Sequence, residues 1–64
     1  MITKVLLMST ERKLAKEFNN KGFHIYKQAS YQEAIEEFHK ALLLNPNYKE
    51  ALYNKALALF LLKN

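Results

Sequence analysis

The sequence contains no cysteine. That excludes disulfides, zinc–thiolate sites and thiol nucleophiles, and it is compatible with a reducing compartment such as the cytoplasm. Glycine and proline occur once each, at Gly22 and Pro46, so little in the chain interrupts a helix. Acidic side chains are the minority, six against ten basic ones, for a formal charge of +4. The basic residues are spread from Lys4 to Lys63, with no run longer than Arg12-Lys13. A nucleic-acid surface would concentrate them, so a solvated, soluble surface is the preferred reading. Long apolar runs are also missing. The longest, Ala56 to Leu62, has seven residues, against the roughly 20 that a membrane span needs. Met1 to Met8 carries one lysine and a very short apolar run, without the h-region or cleavage site of a signal peptide.

Other chemistry is absent as well. His24 and His39 are the only histidines, and neither is followed by a second ligand of the right type three or four residues on, so no metal or other cofactor is expected. There is no Gly-rich loop, no HExxH and no nucleophile signature. The chain is not expected to be an enzyme.

What remains is an all-α chain of 64 residues, one domain at most. Ser9 or Thr10 suits an N-cap, and Glu11 suits a first helical turn. Leu14, Phe18, Gly22, Ile25 and Ala29 then form one stripe on a helix running from about Glu11 to Gln28. Mid-helix, Gly22 costs about 1 kcal/mol relative to alanine, which implies a neighbouring backbone close by. Ser30 and Glu33 read as a capping box opening a second helix at Tyr31. Tyr31, Ala34, Ile35, Phe38, Ala41 and Leu42 give it a continuous apolar face up to Leu44, and Asn45-Pro46 ends it. On the other face Glu33, Glu36 and Glu37 read as solvated charge, with Glu36 and Lys40 as an i,i+4 pair. Asn47 with Glu50 would cap a third helix reaching the C-terminus. Its Ala56–Leu62 run is apolar on every side, the pattern of a helix buried all round.

The chain also repeats itself at an offset of 34 residues. Asn20-Lys21 recurs as Asn54-Lys55, Phe18 matches Leu52, Gly22 matches Ala56, Phe23 matches Leu57, Ile25 matches Leu59 and Tyr26 matches Phe60. Helix–turn–helix units of that period mark tetratricopeptide repeats. Residues 15–48 resemble one complete repeat: Phe18 and Gly22, Ile25 at the tyrosine position, the turn residue Tyr31, Ala34 and Phe38 as A-x3-F, then Ala41 and Pro46. Residues 49–64 resemble the first helix of a second repeat or a capping helix, and residues 1–8 stand apart as an N-terminal extension. Met8-Ser9-Thr10-Glu11 also reads as a possible start of translation. The pattern is an antiparallel hairpin plus a third helix, a fragment of an α-solenoid. Lys21 replaces the family's leucine and is expected to weaken the first helical pair, and Ala29 replaces a common turn glycine.

The resemblance implies a concave protein-binding groove formed by the first helix of each repeat. Carried over position by position, it holds Lys16, Asn19, Asn20, Phe23, Tyr26 and Lys27, then Glu50, Tyr53, Asn54, Leu57, Phe60 and Leu61. The family's clamp for chaperone carboxylates is disfavoured, because Asn19 and Phe23 occupy the places of its lysine and asparagine. The partner is expected to be a protein or peptide. One and a half repeats are fewer than the roughly three usually needed for stability, so a homo-oligomer, a dimer through the third helix, is expected too. A purely structural oligomer and a weak nucleic-acid binder remain as alternatives.

Overall fold

A computed structural model describes the backbone of residues 2–64 and the side chains of residues 8–64. Three helices follow one another: α1 (Ile2–Lys27), α2 (Tyr31–Leu44) and α3 (Lys49–Lys63). They form two successive antiparallel hairpins. α2 packs on both neighbours, while α1 and α3 meet over a shorter stretch.

The core is made of alanine methyls around one large side chain. Ala34, Ile35, Phe38 and Ala58 form one cluster, with Ile25, Tyr26 and Tyr31 against it. Ala15, Ala41 and Ala51 form the other, flanked by Phe18, Leu42, Leu44 and Tyr48. Small residues on facing helices let the backbones approach, so Phe38 fills the remaining space and is the largest fully buried side chain. Gly22 belongs to the same device. A Cβ built there would stand 2.6 Å from Phe38 Cε1 and 3.2 Å from the Ala34 carbonyl oxygen.

Several local expectations are corrected. α1 does not start at Ser9 or Thr10; both lie inside it. A serine or threonine costs only about 0.5 kcal/mol in a helix interior, too little to stop a helix that continues on both sides. Residues 2–7, expected as a frayed end or a docking turn, continue α1 as helix, and their side chains lie outside the described residues. Leu14, assigned to the apolar stripe, is exposed; its neighbour Ala15 faces the core instead. Ser30 is the N-cap of α2 but makes no side-chain capping bond. The turn is held by backbone instead: Ser30 N–H donates to the Ile25 carbonyl at 3.3 Å and Ala29 N–H to that of Tyr26 at 2.9 Å. This is the Schellman pattern, which places the residue after the C-cap in the left-handed region. Ala29 has φ 63° there. The N-cap of α3 is Tyr48, not Asn47, because the Pro46-Asn47 turn closes through Tyr48 N–H to the Asn45 carbonyl.

The charges differ as well. Glu37 is 7% exposed, not part of a solvated face. It lies one position before Phe38 and three after Ala34, where the helix turns towards α1. Lys40 pairs with Glu37 at 2.9 Å, rather than with Glu36. Lys21, expected to weaken the hairpin, approaches the same carboxylate from α1 at 3.7 Å. Its long apolar stem allows the ammonium to stay largely in water.

Ala29 yields a direct test. An L-residue in the left-handed region costs roughly 1–2 kcal/mol, and glycine returns part of this as unfolded-state entropy. Ala29→Gly is therefore expected to raise stability by about 0.5–1 kcal/mol. Urea unfolding monitored by circular dichroism checks it, and a lower midpoint would contradict the assignment.

Candidate protein-binding groove

α1 and α3 run in the same direction, one on each side of α2, and leave a groove between them. It is lined by Asn19, Asn20, Phe23, Glu50, Tyr53 and Asn54 and has a volume of about 250 Å³. The lining is mixed: amides and a carboxylate at the base and rim, with two aromatic rings.

At its floor Asn54 Nδ2 donates to Asn19 Oδ1 at 3.1 Å, across 35 positions of sequence. Asn19 is 3% exposed. Its role is thus partly structural, since a buried amide needs a partner. Asn20 lies next to it and is exposed. Phe23 is half exposed, stacked on Tyr26 with centroids 5.9 Å apart and planes 15° apart. Lys27 places its ammonium 5.1 Å from the Phe23 centroid, where the ring quadrupole attracts a cation. Tyr26 also meets Tyr31 at 5.6 Å and packs against the core, so it supports the groove wall more than it offers surface.

Six of the twelve residues assigned to the groove line this cavity. Lys16 and Lys27 are exposed on α1 outside it. Leu57 and Leu61 are half-buried further along α3, and Phe60 is 66% exposed. The expectation of a third helix buried on every side is therefore not met within one chain: Leu59, Phe60 and Leu62 stay exposed. A second cavity, of about 320 Å³, was not anticipated. It lies on the other side of α2, between Ile35, Glu36, His39, Lys40 and Lys55. No sequence pattern marks it, because it arises only where α3 crosses α2. Among the described residues no cluster of three or more histidines and carboxylates could hold a metal ion. No helix among them is long and apolar enough to cross a membrane.

Residues 15–48 match the tetratricopeptide repeat family. The chain belongs to the tetratricopeptide repeat family. The match begins at Ala15, inside α1, and ends at Tyr48, before α3, so one whole repeat is the hairpin and α3 follows it in the register of a second. An uncharacterized protein of Methanocaldococcus jannaschii is 40% identical over 55 residues, which is 86% of this chain. The chain spans 64% of that relative's length. No solved structure matches. Tetratricopeptide repeats are, as a family, a protein-interaction fold rather than a catalytic one.

Proposed function

We propose that this tetratricopeptide chain is a non-enzymatic interaction module whose groove between α1 and α3 receives an extended peptide or a partner helix. The observation that carries this reading is the amide floor framed by Phe23 and Tyr53. Amides hydrogen-bond a peptide backbone, and rigid aromatics give large contact area at low entropic cost. Peptides selected against the chain from a random library are expected to lose at least about tenfold in affinity on Phe23→Ala or Tyr53→Ala, in line with aromatic hot spots. Leu43→Ala, at an exposed residue of α2, should leave them unchanged. Equal losses at all three positions would refute the groove.

A second reading, self-association through α3, is favoured by one observation. Phe60 stands 66% exposed beside the half-buried Leu57 and Leu61. Here a second copy covers the aromatic side of α1 and α3, and the oligomer is the functional unit. Light scattering across dilution tests it. The wild type is expected to exceed monomer mass, and Leu57→Glu with Leu61→Glu to return it to the monomer, because two carboxylates in an apolar interface cost several kcal/mol. An unchanged mass would remove α3 as the interface.

A further inference from the structure

The groove between α1 and α3 has one charged side chain in its lining, and that side chain is acidic. Glu50 stands in the first turn of α3 and is exposed. Among the described residues its carboxylate has no ion-pair partner, since both ion pairs go to Glu37. The nearest lysines by register are turned elsewhere. Lys27 holds its ammonium over the Phe23 ring. Lys16, which has the register position of Glu50 on α1, lies outside the cavity. A chain of formal charge +4 thus presents a free carboxylate at this place, beside two aromatic rings that are 43% and 66% exposed, Phe23 and Tyr53. The dipole of α3 favours an acid in its first turn. It does not account for the exposed rings gathered around that acid.

We infer that the cavity receives one arginine side chain of the bound peptide. The inference rests on the groove being the binding surface, as proposed above. The size suits it: about 250 Å³ falls below the roughly 300–1,000 Å³ of sites that enclose a whole small ligand, and fits a single long side chain. The chemistry selects the side chain. Ring faces attract a cation. A guanidinium also stacks flat on a ring and offers a planar fork of donors to a carboxylate, which the ammonium of lysine does not. The floor adds an acceptor, because Asn54 Nδ2 donates to Asn19 Oδ1 and leaves the Asn54 carbonyl oxygen for a donor from the peptide. An acidic side chain in the same place would meet Glu50 as a like charge.

The cavity is complete within α1 and α3. α2 packs on α1 through Phe18, Gly22 and Ile25. The same register positions on α3 are Leu52, Ala56 and Leu59. They lie on another side of that helix from Glu50, Tyr53 and Asn54, so a helix packed on them leaves the cavity open.

The test is an NMR titration of the isotope-labelled full chain with three blocked pentapeptides, identical except for a central arginine, citrulline or glutamate. Citrulline keeps the shape of arginine without its charge. The arginine peptide is expected to shift the signals of Asn20, Phe23, Tyr53 and Asn54 saturably, and to bind at least about fivefold tighter than the citrulline peptide. Glu50→Gln should weaken the arginine peptide about threefold, in the range of exposed ion pairs, and leave the citrulline peptide unchanged, which also controls for the fold of the variant. Equal affinity for arginine and citrulline, tighter binding of the glutamate peptide, or no binding of any of the three overturns the inference. So does an equal effect of Glu50→Gln on the arginine and citrulline peptides, because Glu50 then serves only the first turn of α3. The groove is judged separately. Library peptides that lack arginine yet lose affinity on Phe23→Ala and Tyr53→Ala keep the groove and overturn its arginine preference.

Discussion

Phe38→Ala is expected to unfold the chain at room temperature. Phe38 is the largest fully buried side chain, and it touches the cluster that joins α2 to α3 as well as the bare backbone at Gly22. Truncating a buried phenylalanine costs about 3–5 kcal/mol, from lost transfer energy and the cavity left behind. A single core of this size rarely supplies more than about 3–5 kcal/mol in all. The loss therefore matches the whole stability. The surrounding core cannot collapse to compensate, because its other members are mostly alanines with no reach. Helical circular dichroism against urea checks the expectation. A cooperative transition with a midpoint near that of the wild type would contradict it. Phe38→Leu should retain a transition, at a lower midpoint, since it keeps most of the volume.

Gly22→Ala sets two effects against each other. Helix propensity alone favours alanine by about 1 kcal/mol in a helix interior. The added methyl, however, falls 2.6 Å from one carbon of the Phe38 ring and 2.7 Å from another. That ring is fully buried and the third neighbour is backbone, so neither can step aside without moving α2. Overpacking of this kind costs typically about 1–3 kcal/mol, and the clash is expected to win. Net destabilisation of about 1–2 kcal/mol should appear as a lower urea midpoint. The double substitution Gly22→Ala with Phe38→Leu makes the mechanism testable. If the ring is the obstacle, the pair is less damaging than the sum of the single changes. Strict additivity, or a stabilised Gly22→Ala, would show that the backbones do not approach as described.

Gly22 and Phe38 form one contact, and much of what surrounds it was legible in the sequence. The stripe Tyr31–Ala34–Ile35–Phe38–Ala41 places α2 without ambiguity, because a 3.6-residue period over four turns has no strand alternative. Pro46 fixes its end. Gly22 in mid-helix, a local cost, signals a close neighbour before any neighbour is known. The resemblance to a repeat of two antiparallel helices then names α2 as that neighbour. For the groove it was the family resemblance, not periodicity, that put Asn19, Asn20, Phe23, Tyr53 and Asn54 on one side of two helices, and these five line one cavity.

Capping and charge were not legible in this way. Ser30, Asn47, Ser9 and Thr10 all have side chains suited to helix starts, yet the described caps rest on backbone bonds and α1 runs through the last two. A cap residue states only that a helix could begin. Whether it does depends on what the flanking segments pack against. Glu37 is the clearer case. By composition it belongs with Glu33 and Glu36, but the angle at which α2 settles on α1 turns it inward, between Lys21 and Lys40.

The sequence by itself determined three helices, their order, the repeat register and the small positions Gly22, Ala34 and Ala41, because periodicity and the single proline act locally. Only the tertiary structure decided which side chains those contacts bury: Asn19 joined to Asn54, Glu37 between two lysines, and Leu52 and Leu59 left uncovered. The reason is geometric. Burial at the edge of a stripe depends on the crossing of two helices, and one helix does not encode where its neighbour will lie.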